Sequence, residues 1–75
     1  MKISARNVLK GKVLAIKKGA VNAEVVLLIA PGVEIVSIIT LPSVRALGIK
    51  KGAEAYAIVK ASSVMIGVPH GKKGD

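Results

Sequence analysis

Ala20-Val21-Asn22-Ala23-Glu24-Val25-Val26-Leu27-Leu28-Ile29-Ala30-Pro31-Gly32-Val33 is the stretch that decides the fold of this 75-residue chain. Its odd positions, Val21, Ala23, Val25, Leu27 and Ile29, are all apolar, while the even ones begin with Asn22 and Glu24. A two-residue period of this kind marks a β-strand with one buried face. At Val26 and Leu28 the even face turns apolar as well, so both faces are expected to be covered there. Pro31-Gly32 suits the centre of a type II turn, with proline fixing φ and glycine taking the positive value. The chain should therefore fold back as a hairpin into a second strand, Val33–Ile39.

Working outward, Lys2 to Ile16 reads as one long extended segment, in which Gly11 suggests a bend or bulge. Lys17-Lys18-Gly19 is expected to turn, with the glycine at positive φ. Beyond the hairpin, Thr40 to Gly48 has the marks of a short helix: Thr40 caps it, Pro42 fits its first turn, and Gly48 stops it in the left-handed region. Lys50-Lys51-Gly52 turns again, Ala53–Lys60 forms a strand, and Val64–Gly67 a last short one. Ile16-Lys17-Lys18-Gly19-Ala20 recurs as Ile49-Lys50-Lys51-Gly52-Ala53, the same turn chemistry used twice. Residues 68–75 lack apolar periodicity and read as a disordered basic tail. Five strands with one short helix before the fourth fit a small OB-like β-barrel. An antiparallel meander that never closes is the alternative.

Composition narrows the function. A chain of this size buries only roughly 60% of its unfolded surface. Hydrophobic residues make up 52%, yet Tyr56 is the one aromatic and there is no cysteine. The core must come from aliphatic side chains, with no disulfide or thiolate site to add stability. Burial shared between subunits would fill that gap. Twelve Lys and Arg against four acidic residues give a formal charge of +8, which favours acidic partners: nucleic acid, an anionic membrane or small anions. Polar residues interrupt the early apolar positions, so no secretory signal is expected. No run reaches the ~18 apolar residues of a membrane span. The chain reads as cytoplasmic.

Enzyme chemistry finds little support. His70 is the only histidine, and Glu24, Glu34, Glu54 and Asp75 are scattered over separate elements. No paired acid and base, and no activated nucleophile, can be assembled from them. His70-Gly71-Lys72-Lys73-Gly74 lacks the strand before and helix after that a phosphate loop needs. Hydrogen-bond donors are more telling. In an extended Ser4-Ala5-Arg6-Asn7, Ser4 and Arg6 would project from the same face. A hydroxyl beside a guanidinium suits an oxyanion that only accepts. Thr40 and Ser43 lie one helical turn apart, and Lys60-Ala61-Ser62-Ser63 forms a second donor-rich stretch. Singly, these are also read as a plain cap, a solvated lysine and an arginine awaiting a glutamate.

Together, Ser4-Ala5-Arg6-Asn7, Thr40-Leu41-Pro42-Ser43 and Lys60-Ala61-Ser62-Ser63 closely resemble, in order and spacing, the molbindins. These are small molybdate-binding proteins of the TOBE (Mop-like) type, and the resemblance covers residues 1–67. It implies the OB-like barrel, with the first strand exchanged between subunits. It further implies a bound molybdate or tungstate oxyanion at a subunit interface, for storage and homeostasis. Ser4 and Arg6 would come from one subunit, and Thr40, Ser43, Lys60 and the amide of Ala61 from its partner. Ala5, Asn7 and Ser62 are further candidates. A homohexamer, as a trimer of dimers, is the implied assembly. The middle hairpin (Leu28, Pro31, Val33 and Val36) is more apolar than the family pattern leads one to expect. The competing function is a nucleic-acid-binding OB-like module. Against it, single-strand binders stack bases on aromatic rings, and Tyr56 stands alone.

Overall fold

The computed structural model describes residues 1–71. The end of the expected tail, 72–75, lies outside the described residues. Four strands form one antiparallel sheet: β1 (Asn7–Lys18), β2 (Asn22–Ala30), β3 (Val33–Thr40) and β4 (Glu54–Val59), in the order β3-β2-β1-β4. A helix, α1 (Leu41–Leu47), links β3 to β4, and a single 3-10 turn (Ala61–Ser63) follows β4. The chain adopts the expected all-β class, with one short helix before the fourth strand.

The strand read from Ala20–Ala30 begins at Asn22, and its odd face enters the core as expected: Ala23, Val25 and Leu27 are buried. Val21 is exposed instead, because a bond from the Gly19 amide to the Asn22 carbonyl closes the preceding turn and lifts Val21 out of the ladder. Gly19 itself is not at positive φ, whereas Gly32 of the Pro31-Gly32 turn is, at 76°. Val26 and Leu28 are half-buried, facing Val36 and Glu34 across the β2–β3 ladder.

β1 is the spine. It pairs with β4 from Asn7 to Lys12 and with β2 from Lys12 to Lys18. The bulge expected at Gly11 lies two residues on, between Val13 and Ala15. Gly11 serves a different need, close approach. A Cβ there would stand 2.8 Å from the Leu28 carbonyl oxygen and 2.8 Å from Ile29 Cδ1. The core gathers around Val13, which is 1% exposed, with Val25, Leu27 and Ala57. Ile16, Ile29, Ile35, Ile39 and Ile49 pack against it. So both isoleucines of the repeated Ile-Lys-Lys-Gly-Ala stretch are anchors, and the lysine pairs after them are exposed.

α1 forms as its caps dictate. Thr40 Oγ1 accepts from the Ser43 amide at 3.2 Å, and Gly48, at φ 65°, donates its amide back to the Arg45 carbonyl. A left-handed residue at that position costs glycine least. Two expectations need correction. Residues 2–6 are not part of β1, because the β1–β4 ladder ends at Asn7 opposite Val59. Val64–Gly67 is not a strand of this sheet: it leaves the 3-10 turn extended but has no ladder partner in its own chain. With four strands among the described residues rather than five, β3 and β4 remain open edges and the curled sheet is half a barrel. The expected exchange of the first strand concerns a second chain; within this one, β1 is paired on both sides.

Candidate functional site

The β1–β4 ladder carries the segment before β1 and the segment after β4 to one place. Because Asn7 faces Val59, the residues just before Asn7 and just after Val59 leave the sheet side by side. Asn7 locks this junction by donating from Nδ2 to the Val59 carbonyl oxygen at 3.2 Å. Asn7 is thus a clamp and does not line the cavity that results. That cavity, about 500 Å³, is bounded by Ser4, Ala5, Arg6, Lys60, Ala61 and Ser62. All six were legible as candidates from sequence alone.

Its chemistry is one-sided. Arg6 and Lys60 supply two positive charges, Ser4 and Ser62 two hydroxyls, and no carboxylate lines it. The 3-10 turn adds to the donors. The amides of Ser63 and Val64 are engaged by the carbonyls of Lys60 and Ala61. Those of Ala61 and Ser62 open the turn, where an amide has no partner within it. Glu54, the carboxylate of β4, instead meets Lys10 at 3.1 Å. The cavity is far larger than one tetrahedral oxyanion, and five of its six residues are exposed, Ala5 alone being half-buried. It is an open cradle.

Thr40 and Ser43 are elsewhere. Thr40 faces Asn22 in the β2–β3 ladder, and Lys18 faces Ala23 next to it, so the cap of α1 sits at the far end of β1. The 12 residues of that strand separate it from the cradle, roughly 35 Å along the strand. There Thr40 Oγ1 accepts from the Ser43 amide and donates to Ser43 Oγ at 2.8 Å. These hydroxyls satisfy one another as a plain helix cap does. Within one chain, Lys60 and Ala61 stand with Ser4 and Arg6, and Thr40 and Ser43 stand apart from them; the expected division of donors between subunits concerns a second chain. The physical reason is the Asn7–Val59 register.

A family profile for the TOBE domain matches residues 3–66. This chain belongs to the TOBE-domain family. Within it, the domain is 64% identical to molybdenum-pterin-binding protein 2 of Clostridium pasteurianum over 66 residues, 88% of this chain and 97% of that protein. Among solved structures it superposes on MopII from Clostridium pasteurianum with a TM-score of 0.84 and 61% identity, covering 89% of this chain and all of that one (100%). It also superposes on the cytoplasmic molybdate-binding protein ModG, solved with molybdate bound, with a TM-score of 0.86 and 52% identity. There it covers 92% of this chain but 49% of ModG. The molbindin resemblance of the three donor stretches is thus that of the whole TOBE fold.

A second concavity was not foreseen from sequence. A groove of about 260 Å³ runs beside β4, walled by Met1, Leu47, Ile49, Tyr56 and Ile58 among others. The signal was present in the parity of β4, where Tyr56 and Ile58 share the face away from Ala57. Among the described residues no cluster of acidic or histidine side chains could hold a metal ion, and no helix is long and apolar enough to cross a membrane.

Proposed function

We propose that this TOBE domain binds molybdate, or tungstate, in the Ser4–Arg6/Lys60–Ser62 cradle, and that it stores and buffers the oxyanion in the cytoplasm rather than transforming it. One observation carries the reading: a cavity between the segment before β1 and the turn after β4 is lined by two cations and several neutral donors, without a carboxylate. A tetrahedral dianion is expensive to desolvate, and two cations with neutral donors balance it without surplus charge. Charge-assisted hydrogen bonds contribute roughly 1.5–3 kcal/mol each. A few of them support a micromolar dissociation constant, about −8 kcal/mol, after ordering costs. Support also comes from the relatives, which are named or described as molybdenum-pterin-binding and molybdate-binding proteins, ModG as a cytoplasmic one.

The binding domain is residues 1–67. The open side of the cradle is closed by another subunit, with Thr40 and Ser43 of that subunit as the added donors, in a homohexamer built as a trimer of dimers. Calorimetry tests the anion. Molybdate and tungstate bind tightly, and phosphate binds poorly, because its remaining proton finds no carboxylate acceptor in the cradle. Equal affinity for phosphate and molybdate would refute the assignment. Native mass spectrometry with and without molybdate reads assembly size and anion uptake together.

A further inference from the structure

The β1–β4 ladder stops where its cations begin. Its last two pairs are Val8 with Ile58 and Asn7 with Val59. The same register carried one step further sets Arg6 opposite Lys60. Alternation along an extended chain puts these two side chains on one face, and both line the cradle. Like charges directly opposite one another repel and destabilise a ladder. No carboxylate in the cavity offsets them, and among the described residues the one ion pair is Lys10 with Glu54. Left to electrostatics alone, the segment before β1 and the turn after β4 would splay apart.

One side chain opposes that splaying. Asn7 is half-buried, and its Nδ2 donates to the Val59 carbonyl oxygen at 3.2 Å. That carbonyl belongs to the planar peptide unit whose nitrogen is that of Lys60. The bond therefore orients the plane from which Lys60 starts. Its other end is anchored on Asn7, the residue next to Arg6. Among the described residues no other side-chain hydrogen bond spans the two segments. Burial cannot replace it, since Ser4, Arg6, Lys60, Ala61 and Ser62 are all exposed.

We infer that Asn7 is the positioning residue of the cradle: without touching the anion, it holds Arg6 and Lys60 opposite each other before any ligand arrives. The fold bears the repulsion between the two cations in advance, and a bound dianion relieves it. Less ordering is then left to be done at the moment of binding, which is how preorganisation raises affinity. The role deepens the anion reading and rests on it. It also assigns Asn7 differently from Ser4 and Arg6 beside it: they supply donors to the ligand, whereas Asn7 acts through its two cationic neighbours.

Asn7→Val removes the donor and keeps a residue that favours strands; Asn7→Ala is the second variant, for the case in which a branched side chain disturbs the strand end. Molybdate calorimetry on the full chain gives an affinity roughly 3- to 10-fold weaker than wild type. The decisive readout is a double-mutant cycle. Added to Lys60→Ala, which leaves no cation pair to hold, the Asn7 change alters affinity by less than about twofold. An equal loss in both backgrounds means Asn7 acts without Lys60, as a direct ligand would, and overturns the proposal. So does an unchanged affinity with only the unfolding midpoint lowered, the mark of a plain structural clamp. Backbone amide order parameters of the ligand-free protein test the placement itself. In the Asn7 variants they fall at Arg6, Lys60 and Ala61 and stay the same at Ala55–Ala57; values unchanged at all of these positions refute the positioning whatever the calorimetry shows. A wild-type chain that binds neither molybdate nor tungstate sinks the anion reading instead, and the order parameters still decide what Asn7 holds.

Discussion

From Lys12 to Lys18, β1 is paired with β2 and contributes Val13 and Ile16 to the core; from Asn7 to Gly11 it is paired with β4 alone, and Leu9 on its inner face is exposed. The same strand is a packing element at one end and a bracket at the other. Burying a valine-sized side chain stabilises the fold by roughly 1.5–3 kcal/mol, and the residues that do so cluster at the first of these ends. The donors Ser4, Arg6, Lys60 and Ser62 crowd the second, where little packing depends on them. The contrast teaches that the cradle's donors stand apart from the side chains that build the core. Altering the cradle should then leave the domain folded.

The largest expected effect tests that separation. Arg6→Ala or Lys60→Ala removes one charge-assisted contact and weakens molybdate binding roughly 10- to 150-fold, while the apo protein's melting temperature stays within about a degree. Calorimetry and thermal melts of the two variants decide it; an apo protein that unfolds when Arg6 is lost breaks the comparison. Mixing experiments sharpen it further. Arg6 and Lys60 line one cavity of one chain, so co-refolding the two variants restores no tight site. Co-refolding Arg6→Ala with Thr40→Val restores up to half the sites if Thr40 reaches a cradle on another subunit. In that mixed pair one site carries both changes and the other carries neither.

Next comes the joint between the two halves of β1. Gly11→Ala places a Cβ 2.8 Å from the Leu28 carbonyl oxygen, a backbone atom that cannot swing aside. Overpacking of this kind costs about 1–3 kcal/mol, and denaturant unfolding should show that loss with binding by the surviving folded fraction unchanged. A stable Gly11→Ala domain would mean the halves are not held in close register there.

Much of this was legible in the sequence, for physical reasons that also explain the misses. The β2–β3 hairpin was readable because alternation, proline and glycine all act locally. So were α1 and its caps. Ser4 and Arg6 could be named from their donor chemistry in an extended segment, and Ala5, Lys60, Ala61 and Ser62 through the resemblance of their stretches to the molbindins. Their grouping was not readable: which donors meet depends on the register Asn7–Val59, set by a ladder between residues far apart in the chain. Val64–Gly67 reads as a strand in the sequence, yet composition cannot say whose sheet a strand joins. The trough beside β4 escaped for the same reason, since Met1, Leu47 and Tyr56 come together only in three dimensions.

At the packing end, the Thr40 cap offers a smaller effect. Thr40→Ala removes the side-chain acceptor for the Ser43 amide and should cost about 1 kcal/mol, read as a lowered denaturation midpoint. Thr40→Ser keeps the hydroxyl and should recover most of it. Equal stability of the two variants would show that α1 is held by Val44 and the surrounding packing alone.

The smallest effect belongs to Lys10, on the bracket half of β1. Its ammonium meets Glu54 at 3.1 Å, with both side chains more than half exposed. The hydrogen bond that Lys10 donates to Glu54, then the negative charge of that carboxylate, raises the lysine pKa above its ordinary value. A raised pKa means folding favours the protonated form. The contribution is therefore complete below the ordinary lysine value of about 10.4 and is lost only as pH rises through the higher folded one. Solvent screening keeps an exposed pair weak. Lys10→Met should accordingly change the melting temperature slightly and by the same amount at about pH 7 and pH 9. The difference should shrink in about 1 M salt, where the Debye length falls to roughly 3 Å, and vanish once lysine is neutral. A difference that grows between neutral and mildly alkaline pH has the wrong sign for this pair. It would place the coupling of the bracket half on another group.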